Sequence, residues 1–141
     1  MKILHTADWH LGTFRSPVKD GVNLRTEDTK RCLDELIRVA NEEKPDYSLV
    51  SGDIFHVGRL WSDRCCEEII TAIHYIRELA AVSKQVVVMR GTPNHDGSGQ
   101  FNVLSEMFAD VPNVHVVITP QVISFDDVDI CLLYTSPSPR D

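Results

Sequence analysis

Three short apolar runs, separated by two longer segments with helical periodicity, constrain the fold of this chain most strongly. The runs are KILHTA at residues 2–7, YSLVS at residues 47–51 and QVVVM at residues 85–89. Runs that are apolar on both faces are typical of strands buried inside a parallel sheet. The order strand, helix, strand, helix, strand therefore predicts an α/β fold in which helices cover a parallel sheet.

The two segments between these runs carry apolar residues at helical spacing. The first helix is predicted to begin at Thr26, as its N-cap, and to end before Pro45. Its apolar stripe comprises Leu33, Leu36, Ile37 and Ala40. The second helix is predicted to begin at Ser62, again as the N-cap. Its inner stripe comprises Cys66, Ile69, Ile70, Ile73, Ile76, Leu79 and Ala80.

Shorter patterns complete the predicted order of elements. Residues 11–25 hold glycine and proline among polar residues, which predicts a loop. A short helix is expected over residues 102–109, and strands are expected over residues 114–118 and 122–125. A further strand is expected to begin near Val128.

Composition and cysteine spacing indicate a protein of the cytoplasm. The fractions of hydrophobic residues (43%) and charged residues (25%) are ordinary for a globular chain, and no apolar stretch is long enough to span a bilayer. The N-terminus lacks the apolar segment of a signal peptide. Without a CxxC pair, the cysteines are expected to be free thiols in a reducing compartment. They are Cys32, Cys65, Cys66 and Cys131.

The net charge of −7 limits how the chain can contact nucleic acid. It argues against a basic surface that coats DNA or RNA. It does not exclude a nuclease, because metal ions can neutralise a carboxylate-rich site and a basic patch can lie in another domain.

Side chains of the types that bind metal ions follow each of the three apolar runs. In chain order they are Asp8 and His10, then Asp53, then Asn94, His95 and Asp96. Because sites in open α/β sheets form outside the carboxyl ends of the strands, these residues are expected to meet at one edge. Singly, such residues are usually turn residues, helix caps or surface histidines, so the joint pattern carries the prediction.

Oxygen and imidazole ligands in this pattern suit manganese, iron or zinc. Asp8 and His10 lie two residues apart, so in extended backbone both side chains point to the same side. Asp53 follows a glycine and offers two oxygens that can bridge two ions, and Asn94 offers a carbonyl oxygen. Two ions held in this way can bind a phosphate and activate a water molecule.

Two residues of the third group are candidates for acid–base work. His95 is placed to stabilise charge on the phosphate or to protonate the leaving oxygen. Asp96 is predicted to orient His95 through a hydrogen bond.

The pattern Asp-x-His, Gly-Asp and Asn-His-Asp resembles the calcineurin-like metallophosphoesterase superfamily. The segments LHTADWHLG at residues 4–12 and SGDIFH at residues 51–56 look like those of the SbcD-type DNA repair nucleases. The resemblance covers residues 1–130, roughly the first half of that family's catalytic domain. It implies a layered sheet with covering helices, truncated after about half of the domain.

The resemblance also assigns roles to the candidate residues. It implies that Asp8 and His10 bind the first metal ion, that Asp53 bridges both ions and that Asn94 binds the second. His95 would be the catalytic histidine near the scissile phosphate. His56, in the GDIFH segment, would line the site and help to place the DNA end.

Two departures from the family pattern stand out. The family usually has glycine directly before Asn-His-Asp, whereas here Thr92 and Pro93 separate Gly91 from Asn94. The family also has a further histidine and a later His-x-His segment. The only histidine that follows the Asn-His-Asp run is His115, which is expected to be a strand residue, so the remaining ligands are expected beyond this sequence.

The resemblance implies a DNA exo- and endonuclease with two divalent metal ions, most simply manganese, that serves DNA repair, recombination and replication. Its partners would be DNA ends and hairpins, an SbcC-like coiled-coil ATPase and a second copy of the nuclease chain in a homodimer. The alternatives are a general phosphoesterase acting on nucleotides or phosphoproteins, and a catalytically dead scaffold of the same fold. The polarity of cleavage and the ATPase contact surface are not indicated.

The last eleven residues look foreign to the rest of the chain. Residues 131–141, CLLYTSPSPRD, resemble one reading frame of a sequencing adapter. The nuclease-type domain is therefore predicted to cover residues 1–130, and the 141-residue chain is expected to bind metal weakly and to have little or no activity.

Overall fold

The computed structural model describes residues 1–12, 14–58 and 63–133, except for the side chains of residues 63–65. In chain order the elements are β1 (Ile3–Thr6), β2 (Val18–Lys19), β3 (Val22–Asn23), α1 (Leu24–Glu43), β4 (Tyr47–Ser51), α2 (Asp63–Val82), β5 (Gln85–Met89), α3 (Ser98–Met107), β6 (Val114–Val117), β7 (Gln121–Ser124) and β8 (Asp129–Leu132).

A four-stranded parallel sheet organises these elements. Its order is β1-β4-β5-β6, so the three strands predicted from the apolar runs are direct neighbours. Thr6 pairs with Val50, which in turn pairs with Val88. This register brings the carboxyl ends of β1, β4 and β5 to the same edge. The prediction of an α/β fold with a parallel sheet is confirmed.

Burial differs between the central strands and β1. Val50 of β4 and both Val86 and Val88 of β5 are fully buried. β1 was expected to be buried as well, but Ile3 is 51% exposed. The expectation was wrong because β1 is an edge strand among the described residues and has a neighbour on one side alone.

Helix α1 begins earlier than predicted. Its N-cap is Asn23 rather than Thr26: the Asn23 side-chain oxygen accepts hydrogen bonds from the backbone N–H groups of Arg25 (3.1 Å) and Thr26 (3.3 Å). The helix ends where Lys44, directly before Pro45, adopts a left-handed conformation. The predicted stripe packs on the core, with Leu33 and Ala40 buried.

Helix α2 confirms most of its predicted stripe, since Ile69, Ile73, Ile76 and Leu79 are buried. The stripe was drawn too wide, because Ile70 is 64% exposed and Cys66 is exposed. Each residue turns the helix by about 100°, which carries Ile70 out of the contact that Ile69 makes. The predicted N-cap Ser62 lies outside the described residues.

The remaining elements lie close to their predicted positions, with three differences. Helix α3 begins at Ser98, before the predicted start at residue 102. Strands β7 and β8 form an antiparallel pair apart from the main sheet. Strands β2 and β3 form a small hairpin inside the segment predicted as a loop, because strands of two residues leave no periodic pattern.

The predicted boundary at residue 130 falls inside β8, which contains Cys131 and the buried Leu132. Residues 134–141 lie outside the described part, so the foreign origin of the tail stays a prediction. Among the described side chains, Cys32, Cys66 and Cys131 are free thiols, as expected, whereas Cys65 is not described. None of the helices in the described ranges is both long and apolar enough to cross a membrane.

The packing of α2 predicts different costs for two isoleucines on the same helix. Ile76 is fully buried, so Ile76→Ala should lower the free energy of unfolding by about 2–5 kcal/mol. Ile70→Ala removes the same atoms from an exposed position and should change the free energy of unfolding by less than about 0.5 kcal/mol. Urea unfolding of both variants measures the difference, and equal losses would contradict the orientation of α2.

Candidate metal centre

Backbone hydrogen bonds join the loop after β1 to the loop after β4. The N–H of Asp8 donates to the carbonyl of Gly52 and that of His10 donates to the carbonyl of Asp53, each at 3.0 Å. Leu11 extends the contact, because its carbonyl accepts from the N–H of His56 at 2.9 Å. The first two groups of predicted ligands therefore lie side by side.

Three of the predicted ligands have strained backbone. Asp8, His10 and Asp53 have φ angles of 55°, 45° and 49°. The extended backbone expected around Asp8 and His10 is therefore wrong. The left-handed turns nevertheless bring these two side chains together, with 3.6 Å between His10 Nε2 and Asp8 Oδ1. Such conformations cost about 1–3 kcal/mol each and cluster at functional sites.

Glycines allow the loops after β4 and β5 to approach each other. A Cβ atom on Gly91 would lie 2.2 Å from both the backbone nitrogen and Oδ1 of Asp53, and one on Gly52 would lie 2.7 Å from the Cα of Gly91. Neither position can carry a side chain without moving the loop that holds Asp53. In the sequence, Gly91 stood out only because two residues separate it from Asn94. Its close approach to Asp53 could not be seen there.

Asp8, His10 and Asp53 form a first group of potential ligands, in which one ligand atom from each lies within 4.8 Å of the others. Asp53 is held in place because its Oδ1 accepts hydrogen bonds from Thr92 N–H (2.7 Å) and Thr92 Oγ1 (3.0 Å). The Nδ1 atom of His10 is buried and has no hydrogen-bond partner among the described residues. Two carboxylates beside the Nε2 of an imidazole fit a divalent cation such as manganese, iron or zinc.

Asn94 lies in the turn that follows β5, and its side chain is exposed. Its backbone carbonyl accepts from the N–H of Gly58 at 3.0 Å. The same turn is closed by the Thr92 carbonyl, which accepts from the N–H groups of His95 (3.0 Å) and Asp96 (2.8 Å). The described contacts show how the longer turn is held, whereas Asn94 as a metal ligand stays a prediction.

His95 is oriented by a backbone carbonyl. Its Nδ1 lies 2.8 Å from the carbonyl oxygen of His56. Because a carbonyl can only accept, Nδ1 must donate, which leaves the lone pair of the neutral ring on Nε2. The ring is therefore held in one tautomer and one orientation.

The predicted role of Asp96 in orienting His95 is wrong. Asp96 is completely buried, and its two carboxylate oxygens accept from the backbone N–H groups of Phe55 (3.0 Å) and Gly91 (2.7 Å). Burial raises the pKa of Asp96, while the two N–H donors act in the opposite direction. The carboxylate thus joins the loops after β4 and β5, and the His56 carbonyl has the role that was expected of Asp96.

His56 lies against both the other histidines and an aromatic ring. Its ring centroid is 6.0 Å from that of His95, 5.9 Å from that of His10 and 4.2 Å from that of Phe14. The guanidinium of Arg25 lies 4.0 Å from the centroid of the Phe14 ring. Burial lowers the pKa of His56, with smaller contributions from His10 and His95, which favours the neutral ring.

Phe14 and Arg25 were missed by sequence reasoning. Both lie in the segment predicted as a loop, and no motif marks them. The signal that exists is indirect: Asn23 caps α1 and also donates from its side chain to the Phe14 carbonyl at 2.8 Å. His115 lies away from this group, in β6, where its Nε2 is 2.8 Å from Gln85 Oε1, as expected for a strand residue.

The buried carboxylate of Asp96 predicts a large effect on folding. Asp96→Ala leaves two backbone N–H groups without their acceptor, at about 1–3 kcal/mol each, so the free energy of unfolding should fall by about 2 kcal/mol or more. The matched control is Asp110→Ala, because Asp110 is exposed and should tolerate the change. Urea unfolding compares the two, and an Asp96→Ala chain as stable as the control would contradict the anchoring role.

Comparison with known proteins finds similarity to two subunits of the nuclease SbcCD. The chain is similar to the SbcD subunit of the nuclease SbcCD from Staphylococcus epidermidis, with 29% identity over 127 residues, which are 90% of this chain and 30% of the relative. It is also similar to the protein of the same name from Staphylococcus saprophyticus, with 31% identity over 108 residues, which are 77% of this chain and 26% of the relative. The chain thus spans less than a third of the length of these relatives.

A match of wider scope covers nearly the whole chain. Residues 1–135 match the family described as "Calcineurin-like phosphoesterase". The match includes all three strand ends that carry the candidate ligands. On this basis the chain belongs to the calcineurin-like phosphoesterase family.

Proposed function

We propose that this chain forms part of the catalytic centre of a DNA nuclease that hydrolyses phosphodiester bonds with two divalent metal ions. Family membership implies a hydrolase that uses divalent metals, and the nuclease activity is the finer proposal. The observation that supports it best is the group of Asp8, His10 and Asp53 directly beside the imidazoles of His56 and His95.

Asp8, His10 and Asp53 would hold the first ion, with Asp53 and Asn94 reaching the second. Ions bound in this way would stabilise negative charge on the phosphate and activate a water molecule. The hydrogen bonds from Thr92 keep Oδ1 of Asp53 in one position, which limits how far that side chain can move when substrate arrives. The chain's part of the chemistry is thus to hold the Asp53 carboxylate in place.

His95 supplies acid–base chemistry in this proposal. Since Nδ1 already donates to the His56 carbonyl, a second proton on the ring must reside on Nε2. From there it can stabilise charge on a phosphate oxygen or pass to the leaving oxygen. His56 packs beside it, and its place between Phe14 and His95 suits a residue that helps to position the DNA end.

DNA as the substrate is proposed from the similarity to the two staphylococcal SbcD proteins. The net charge of −7 means that metal ions, or parts of a longer protein, would have to attract the phosphate backbone. By the same similarity we propose manganese as the metal and the cytoplasm as the location. An SbcC-like coiled-coil ATPase and a second copy of the nuclease chain would be its partners in DNA repair, recombination and replication.

For the 141-residue chain we expect weak binding of manganese and little or no cleavage of DNA, because the four candidate ligands Asp8, His10, Asp53 and Asn94 would hold the second ion poorly. Electron paramagnetic resonance of free manganese measures the binding. Asp53→Asn should lower the affinity at least about tenfold, since it removes a charged ligand, whereas Asp110→Asn should leave it unchanged. Equal affinity in both variants would contradict Asp53 as a ligand.

For a protein of the length of these relatives that contained this sequence, we expect manganese-dependent digestion of linear duplex DNA. Asp53→Asn should lower the rate about 100-fold or more, the equivalent of about 2.7 kcal/mol or more of transition-state stabilisation. His95→Gln should lower the rate of digestion by about 100- to 10,000-fold while manganese affinity is retained, because His95 is proposed to transfer protons rather than to bind manganese.

Two outcomes would favour the alternatives. Hydrolysis of small phosphodiesters without cleavage of DNA would indicate a general phosphoesterase. Retained manganese binding without hydrolysis of either substrate would indicate a scaffold that has lost catalysis.

A further inference from the structure

A second group of potential ligands lies next to the first and contains no carboxylate. One ring nitrogen from each of His10, His56 and His95 lies within 4.8 Å of the other two. The His10 and His95 ring centroids are 4.6 Å apart, with the ring planes nearly perpendicular. The two groups share His10 alone, so they are different sites that compete for one side chain.

The ring of His95 is prepared for metal binding. Histidines that bind metals almost always donate their other N–H to a carbonyl or carboxylate, which fixes the tautomer. His95 does this through Nδ1 and the carbonyl of His56, at 2.8 Å. The acceptor belongs to the backbone of a second member of the group, so this hydrogen bond ties the His95 ring to the loop that carries His56.

His10 contributes an independent observation, because its Nδ1 is buried without a hydrogen-bond partner among the described residues. A buried polar atom without a partner costs about 1–3 kcal/mol. Coordination, or rotation of the ring towards a bound ion, removes that cost.

We propose that His10, His56 and His95 form a second cation site, selective for zinc-type ions that prefer nitrogen ligands. Zinc binds imidazole nitrogen at about 2.0–2.1 Å, so two nitrogens on one ion lie at most about 4 Å apart. The 4.8 Å limit within this group therefore requires each ring to move by less than about an ångström, which side-chain rotation supplies. Imidazole ligands favour zinc, copper and nickel over manganese.

Binding at the three-histidine site excludes binding of His10 at the carboxylate site. A neutral imidazole has a single lone pair, so His10 can serve one ion at a time. An ion held by three histidines would also occupy Nε2 of His95. If the proposed nuclease function holds, such an ion inhibits it; the binding itself does not depend on that function.

Cobalt(II) tests the site in the intact 141-residue chain, because its absorption spectrum separates imidazole from thiolate ligands. We expect cobalt to bind without the thiolate charge-transfer band that the exposed cysteines would produce. His56→Gln should lower the affinity for cobalt at least about tenfold, the scale on which changes at a metal site act. The same variant should leave manganese affinity unchanged, because His56 is outside the carboxylate group.

Two controls separate this site from others. Asp53→Asn should leave cobalt binding at the three-histidine site intact while it weakens manganese binding. His74→Gln alters an exposed histidine of α2 and should change neither the cobalt affinity nor the manganese affinity. Cobalt added to the manganese-loaded chain should release manganese, which is measured as a rise in the free-manganese resonance.

Three results would overturn the proposal. The first is that His56→Gln and His95→Gln both leave the cobalt affinity unchanged, in chains that circular dichroism shows to be folded. The second is a thiolate band that accounts for all of the bound cobalt. The third is that cobalt and manganese bind together, without release of manganese. None of them bears on DNA cleavage, so the nuclease proposal can fail or survive separately.

Discussion

Hydrogen bonds between three consecutive strand-end loops hold the candidate site together. The loop after β1 is joined to the loop after β4 through the N–H groups of Asp8 and His10. The loop after β5 is joined to the same loop by the buried carboxylate of Asp96, which accepts from Phe55 and Gly91. The positions of the candidate ligands depend on these contacts, because each ligand lies on a loop that is hydrogen-bonded to the neighbouring loop.

Strain at the ligands is a consequence of this construction. Asp8, His10 and Asp53 all have positive φ angles, which residues other than glycine rarely adopt. The backbone hydrogen bonds of Asp8 and His10 to the loop after β4 accompany these conformations, and Gly91 lies so close to Asp53 that a Cβ atom on it would be 2.2 Å from the Asp53 nitrogen. The result is a group of carboxylates and imidazoles that converge at one edge of the sheet, where a metal-dependent phosphoesterase needs its ligands to be held in position.

The parallel sheet and the convergence of three strand ends could be predicted because both follow from local patterns: apolar runs, helical spacing, and polar residues directly after each run. The role of Asp96, the tautomer of His95 and the contact of Phe14 with His56 could not. These depend on contacts between residues far apart in the chain, such as Asp96 with Phe55 at 41 positions and His95 with His56 at 39. The N-cap of α1 was misplaced for a different reason, since Asn23 and Thr26 are both good capping residues and the hairpin that selects Asn23 leaves no pattern.

The binding of a divalent ion by Asp8, His10 and Asp53 at the edge of the sheet is the central claim. Crystals of the chain soaked in manganese, with diffraction data collected at the manganese absorption edge, test it most directly. We predict an anomalous peak bounded by the carboxylates of Asp8 and Asp53 and the imidazole of His10. A map without a peak there, from crystals that bind manganese elsewhere, would contradict it.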